Sequence, residues 1–332
     1  APPAPPAPSP VRAVEEVPDA PSPAEADDAV RLGDSLDDDG DVLRPPTAAA
    51  SPPQTAKKPP VRGLPPKAQG RLRERFLRLL RAPSGPLLDA DDGGLVSVAV
   101  DHAYDGARGR CRVAITNCSP APLERLRVDV FADGDDQDDA PLLVSARVDD
   151  GVASLRPGET VVARVAATCR APFVVPPELA LRFESSGGRY AYALRLPVAA
   201  TCFAEPDGYH ARDVASFRGR WDDVSNRDGA EQQVVVAARG AVDDAALDAL
   251  RRRVVGEALR GAPVRGADPS PRTATAAALV NTTDAGAVDV LVRLEANAAA
   301  RAFRITVRSP SPAAAAAFKN VLQALLASVA AL

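Results

Sequence analysis

From Leu95 onward, apolar and polar residues alternate in short runs broken by Gly, Pro and Asp, a period-two pattern that predicts half-buried strands. Seven such runs come first: Leu95–Val100, Arg110–Thr116, Arg125–Phe131, Leu142–Val148, Thr160–Ala166, Glu178–Phe183 and Tyr190–Leu196. The separators include 106–109, 133–139, Pro157-Gly158 and 185–188, all rich in turn residues. Short strands at this spacing predict an immunoglobulin-like β-sandwich over 93–199. After Pro206 the texture changes. A helix is expected from Asp207 or Tyr209 to Val224, a strand at Gln232–Ala238, a helix at Asp243–Leu259, then strands at Ala276–Asn281, Val288–Leu294 and Ala302–Arg308. Ser311-Pro312 opens a last helix, with Ser at the cap and Pro at the first position, and Phe318, Leu322, Leu325 and Val329 form its apolar stripe. Strands and helices mixed in this way predict an α+β platform over 200–332.

Two of these strands predict a charged face. In Val288–Glu295 the even positions are apolar, which turns Arg293 and Glu295 the other way. In Ala302–Arg308 the apolar set is Phe303, Ile305 and Val307, leaving Arg304 and Arg308 outward. A hairpin across 296–301 would gather three arginines on one face. The expected helix before them carries Phe217 and the chain's only tryptophan, Trp221, with Arg218 and Arg220 between them. Val214, Phe217, Trp221 and Val224 make an i, i+3, i+7, i+10 stripe, and such a stripe suits a core as well as a binding surface.

Composition adds a third segment. Of the 332 residues 33 are proline, and the Pro-Pro and Ala-Pro pairs concentrate in residues 1–68, which hold few large apolar groups. Such a stretch buries too little to offset chain entropy, so residues 1–92 are expected to be a disordered linker. Inside it, 69–82 is expected to form a short basic amphipathic helix, ordered against a partner or a membrane surface. A flexible linker of about 90 residues spans about 50 Å. About 240 residues remain for folded structure, enough for two modest cores.

The net charge of −4 counts against bulk phosphate neutralisation and so against nucleic acid. No apolar run reaches the length of a membrane span, and no signal segment opens the chain. A chain without methionine lacks an initiator and reads as a piece of a longer protein. Cys111, Cys118, Cys169 and Cys202 have no C-x-x-C spacing and His102 and His210 are far apart in sequence, so buried free thiols are expected and a zinc site is not. No nucleophile motif or phosphate loop points to an enzyme.

Four stretches then fall into register with a known family: Arg189–Pro197, Phe217–Trp221, Asp268-Pro269-Ser270-Pro271 and Arg293-Leu294-Glu295-Ala296-Asn297. In order and spacing they resemble the C-terminal appendage of alpha-adaptin, the large alpha subunit of the plasma-membrane clathrin adaptor, over about 94–332. The resemblance implies a sandwich and platform on a long hinge, without enzymatic activity or cofactor. It implies a hub that recruits endocytic accessory proteins through short Asp-Pro-Phe or Asp-Pro-Trp motifs, together with the remaining subunits of the adaptor. Carried over by position, it implies a peptide site of Trp221, Arg293, Glu295, Asn297 and Arg304, with Arg220 and Arg308 at the rim. Arg218 stands where that family has a second, peptide-contacting phenylalanine, so one apolar wall is missing here. Leu87-Leu88-Asp89-Ala90-Asp91 loosely resembles a clathrin-box peptide and would make clathrin a partner of the hinge, with Ala90 where that motif has a large apolar residue. The competing readings are the beta-type appendage, which shares the two-part plan, and a nucleic-acid-binding platform like that of the TATA-binding protein. The match at Arg189–Pro197 and Asp268–Pro271 favours alpha.

Overall fold

The computed structural model describes residues 60–132, 139–148, 154–226, 230–238, 262–263 and 272–329. The linker expected before residue 60, the helix expected at 243–259 and the Asp268–Pro271 motif lie outside the described residues.

From residue 60 to 92 the structure departs from the expected linker. A two-residue strand, β1 (Val61–Arg62), pairs in parallel with the edge of the sandwich. Helix α1 follows at Pro66–Leu79, with Pro in its first turn, then strand β2 at Ser84–Leu88. Ala68, Leu77, Leu79, Leu80, Leu87 and Leu88 are all buried in the main core. Burying a leucine is worth about 2 kcal/mol, and five of them in twelve residues offset the cost of ordering this segment. Leu87 and Leu88 are 1% and 0% exposed, so the clathrin-box reading fails: its two leucines belong to the core. A charge pair fastens the helix. Asp92 is buried and receives Arg75 closely and Arg71 at 3.1 Å. Burial by itself raises the Asp92 carboxyl's pKa, but the hydrogen bond and charge of Arg75, the Asp89 backbone contact and the charge of Arg71 outweigh it and hold the group below the ordinary carboxylate range.

The sandwich strands are β3 (Val96–Asp105), β4 (Arg108–Asn117), β5 (Leu123–Phe131), β6 (Leu142–Val148), β7 (Ser154–Leu155), β8 (Thr160–Cys169), β9 (Glu178–Ser185) and β10 (Gly188–Arg195). They form two five-stranded sheets, ordered β2-β3-β4-β8-β6 and β1-β10-β9-β5-β7. Alternation selects the inner faces: Val96, Val98 and Val100, then Val113 and Ile115, then Val161, Ala163 and Val165 on one sheet; Leu179, Leu181, Phe183 and Leu194 on the other. All of them join one core cluster. Cys111, Cys169 and Cys202 are buried free thiols as expected, whereas Cys118 is exposed just past the end of β4.

The chain then crosses through a short buried turn, Ala200–Phe203, whose Phe203 ring packs on Tyr104 and Phe173 at 5.1 and 6.0 Å. The platform sheet contains β11 (Ala204–Pro206), β12 (Ala230–Ala237), β13 (Ala262–Pro263), β14 (Thr273–Asn281), β15 (Ala287–Asn297) and β16 (Ala302–Ser309), ordered β11-β14-β15-β16-β12 with β13 on β14. Helix α2 spans Val214–Asn226 and α3 spans Pro312–Val329. The Ser311 hydroxyl accepts the Ala314 N–H at 3.3 Å, the cap its position predicts. Helix α3 brings Phe318, Leu322 and Leu325 into the same buried cluster as Val290, Val292, Leu294, Phe303, Ile305 and Val307. The fold is thus a β-sandwich followed by a sheet-and-helix platform, and the buried cluster runs through both.

Candidate functional site

Helix α2 starts later than its sequence pattern suggests, because two aspartates compete to begin it. Asp207 Oδ1 accepts the backbone N–H groups of Tyr209 and His210, each at 3.0 Å, and closes a turn instead of a helix. Asp213 accepts the Ser216 N–H at 2.7 Å, the geometry of an N-cap, and the helix runs from Val214. That hydrogen bond also holds the Asp213 carboxyl below the usual range.

The predicted stripe then meets the sheet face opposite the main core. Phe217 and Val224 are buried with Ala211, Ala277 and Leu291, and Val214 and Trp221 pack against them from the side. Phe217 and Trp221 stack with ring centroids 5.5 Å apart. Phe217 is therefore core, whereas Trp221 is half-buried at the margin. The guanidinium of Arg308 covers its ring at 4.3 Å, donates to the Trp221 carbonyl at 3.0 Å and pairs with Glu231 at 2.7 Å.

Beyond Trp221 the same face is polar and open. The β15–β16 hairpin sets Leu291 opposite Arg308, Arg293 opposite Thr306, and Glu295 opposite Arg304. Glu295 bridges the two arginines, with Arg293 at 3.0 Å and Arg304 at 2.5 Å. The predicted arginine face is present, and its carboxylate lies at its centre. From Arg308 to Arg304 is four strand residues, about 13 Å, the length of about four residues of extended peptide.

The remaining expected residues take different positions. Asn297 is exposed at the end of β15, and its side chain accepts the Ala300 N–H at 3.0 Å, closing the hairpin turn. Arg218 is exposed and in no ion pair among the described residues. Arg220 is not a free rim residue: it donates to Asp289 on β15 and to Asp223 at 2.5 Å, with 23% of its side chain exposed. Arg220 thereby pins α2 to the sheet.

Three contributors escape the sequence reading because they depend on β12 pairing with β16. Glu231, Gln233 and Val235 lie opposite Arg308, Thr306 and Arg304. Val235 is 63% exposed and places an apolar spot directly beside the Arg304–Glu295 pair. Its alternation in β12 is the signal that could have found it. Sequence distance likewise hid a small cluster: ligand atoms of Asp207, His210 and Asp289 lie within 4.8 Å of one another. Asp207 is occupied by the His210 ring and two amides and Asp289 by Arg220, so the cluster ties the start of α2 to β15. Burial pushes the thiols of Cys111 and Cys169 up to about 12, which leaves them protonated and poor nucleophiles.

Comparison with known proteins gives this geometry a context. Residues 203–326 match the family described as alpha adaptin AP2, C-terminal domain. The AP-2 complex subunit alpha-2 of Dictyostelium discoideum is 23% identical over 259 residues, covering 76% of this chain. The chain spans 24% of that relative's length. Among solved structures, the yeast GGA1 GAE domain overlaps 35% of this chain and 99% of its own at 10% identity and a TM-score of 0.28. The GAE domain of GGA2p from Saccharomyces cerevisiae overlaps 31% of this chain and 87% of its own at 7% identity and a TM-score of 0.25. Overlaps that loose carry no argument. The family match falls on the platform just described, and both sequence matches are to alpha-type adaptins, which supports an appendage of the alpha rather than the beta type.

Proposed function

We propose that the platform is a peptide-docking surface through which the chain recruits endocytic accessory proteins bearing short Asp-Pro-Phe or Asp-Pro-Trp motifs to a clathrin adaptor at the cytoplasmic face of the plasma membrane. The observation that carries this reading is the strip from Trp221 to Arg304, where an aromatic margin and an exposed valine flank outward arginines on one rigid sheet face.

The chemistry of such a strip suits an acidic-aromatic peptide. A peptide phenylalanine or tryptophan needs an apolar wall, which the Trp221 edge and the Arg308 stem supply. The peptide aspartate needs paired N–H donors, which Arg293 or Arg304 offers once it turns partly from Glu295. Glu295 keeps both guanidiniums positioned over the strand and can accept a peptide N–H. Asn297 extends the polar end. Arg218, exposed on α2, replaces an apolar wall with positive charge and favours more acidic peptides.

A contact of this size is far below a standard interface, so each motif binds with about micromolar affinity or weaker. Several motifs engaging several adaptors would then supply useful avidity. Arg220 and Arg308 act in this reading as supports: one anchors α2, the other the Trp221 ring.

A pull-down from cell extract tests the reading. The whole chain serves as bait, because residues 64–92 contribute to the core. Accessory proteins carrying these motifs are expected with the wild type and absent with Trp221→Ala. Retention of the same proteins by the variant would place the site elsewhere, and a retained nucleic acid would favour the rival class.

A further inference from the structure

One edge of the second sandwich sheet is only partly paired. Strand β1 covers Arg189 and Tyr190 of β10, and among the described residues no strand continues along that edge from Ala191 to Arg195. The chain leaves the edge where α1 begins. There the Pro65 carbonyl accepts the Gln69 N–H at 3.1 Å, and Gln69 Nε2 donates to the Leu64 carbonyl at 2.8 Å. On its other side β10 is fully paired with β9. The backbone groups that point away from β9 are left as a template on which another strand can form.

A groove of about 540 Å³ lies beside this stretch, within the size range of ligand pockets. Ala193 and Arg195 line it from β10, Leu72 and Phe76 from α1, and Val321 and Ala324 from α3. Leu72 and Phe76 are i,i+4 neighbours on one helix face, and both stay half-buried, so the apolar stripe that orders α1 is not fully covered. Exposed Val174 extends the apolar lining. Arg73, Arg195, Glu178 and Asn320 supply polar groups. All four are exposed, and among the described residues none of these side chains forms an ion pair or a hydrogen bond. Glu178 of β9 stands directly opposite Arg195. One carboxylate thus serves two guanidiniums, and the groove keeps a net positive charge.

We propose that this groove takes an extended peptide of alternating acidic and large apolar residues, which adds a strand along β10 from Ala191 to Arg195. In strand addition the main-chain hydrogen bonds give affinity, and pockets for alternate side chains give specificity. Successive side chains of a strand point to opposite faces. The apolar ones would enter between Leu72, Phe76 and Val321, and the carboxylates would meet Arg73 and Arg195 with charge-assisted hydrogen bonds. The Asn320 amide offers a donor and an acceptor, the pair that a peptide group needs. A fatty acid has one charged end and no backbone, whereas the groove has guanidiniums on two elements and a strand edge. The groove shares no residue with the strip from Trp221 to Arg304 and does not depend on how that strip is read.

Fluorescence anisotropy with the whole chain and a labelled Glu-Leu-Glu-Phe-Glu peptide tests the proposal. Binding at about 10 μM is expected for so small a contact, and it should weaken as salt rises. A Glu-Ser-Glu-Ser-Glu peptide, which keeps only the charge, should not bind. An N-methylated copy of the probe, whose backbone cannot pair, should not bind either. Arg73→Gln and Arg195→Gln should each weaken the probe about fivefold. Ala193→Trp fills the groove from an exposed position and should abolish binding with an unchanged urea midpoint. Should that variant fold poorly, the two arginine variants, both at exposed positions, carry the test. Excess unlabelled Asp-Pro-Phe peptide should leave the probe bound, which separates this groove from the platform. Absence of wild-type binding, unchanged binding by the variants, full affinity for the N-methylated copy, or displacement by the Asp-Pro-Phe peptide would overturn the proposal. So would capture of dodecanoate, or self-association lost in Ala193→Trp, by a chain that ignores the probe.

Discussion

Arg308 holds three contacts with one group, and its removal gives the sharpest structural test of the platform. Its guanidinium covers Trp221 at 4.3 Å, bonds the Trp221 carbonyl at 3.0 Å and pairs with Glu231 at 2.7 Å, with 16% of the side chain exposed. A cation–π contact of this kind is worth about 1 kcal/mol, a hydrogen bond to a charged donor about 1.5 kcal/mol, and a partly exposed ion pair about 0.5 kcal/mol. The contacts share one side chain and do not add fully, so Arg308→Ala should cost about 2 kcal/mol. For a folded body of this size that lowers Tm by about 4–8 °C. Because Trp221 is the only tryptophan, its fluorescence reports the site directly, and the variant's emission should shift towards that of an exposed indole. Arg308→Lys keeps the charge but loses the planar stack and the fork, so it should fall between the two. An alanine variant that melts with the wild type, or a lysine variant that matches it in both signals, would refute the stacking argument.

Three further outcomes follow from the same geometry. Arg304→Ala should weaken an Asp-Pro-Phe peptide about fivefold at low salt and less at high salt, since its guanidinium is half exposed; calorimetric titrations that coincide at both salts would remove charge from recognition. Leu88→Ala should cost about 3 kcal/mol in urea unfolding, because the side chain is fully buried; undiminished stability with lost clathrin binding would restore the clathrin-box reading. Asp92→Asn should lower the urea midpoint at neutral pH. The folded carboxyl titrates below its ordinary value, so its contribution is complete above about pH 4 and lost as pH falls through the depressed value. The two midpoints should converge in strong acid, and a constant gap would show that the charge is not involved.

The sequence was most legible where one residue decides which face it occupies. Alternation in 288–295 and 302–308 separates core valines from outward arginines without further information, and the hairpin register brings out the face it implies. The stripe through Phe217 and Trp221 was equally plain, but its two aromatics diverge in burial: Phe217 is buried with Leu291 and Ala277, whereas Trp221 packs against that cluster from its margin. Composition misled between 60 and 92, where averaging over proline-rich neighbours concealed five closely spaced leucines that the core absorbs. Arg220 and Asp289 are 69 residues apart, and no local pattern announces that they meet. Glu231 and Val235 enter the site through strand order alone, since β12 reaches β16 and not its neighbours in sequence.

The central claim is that Trp221 and the arginines beyond it receive an acidic-aromatic peptide. Isothermal titration of the whole chain with an Asp-Pro-Phe peptide, beside the Trp221→Ala variant checked for cooperative urea unfolding, measures that claim most directly. Micromolar binding by the wild type, and none by a folded Trp221→Ala, is the predicted result. Equal affinity in the two proteins would contradict it.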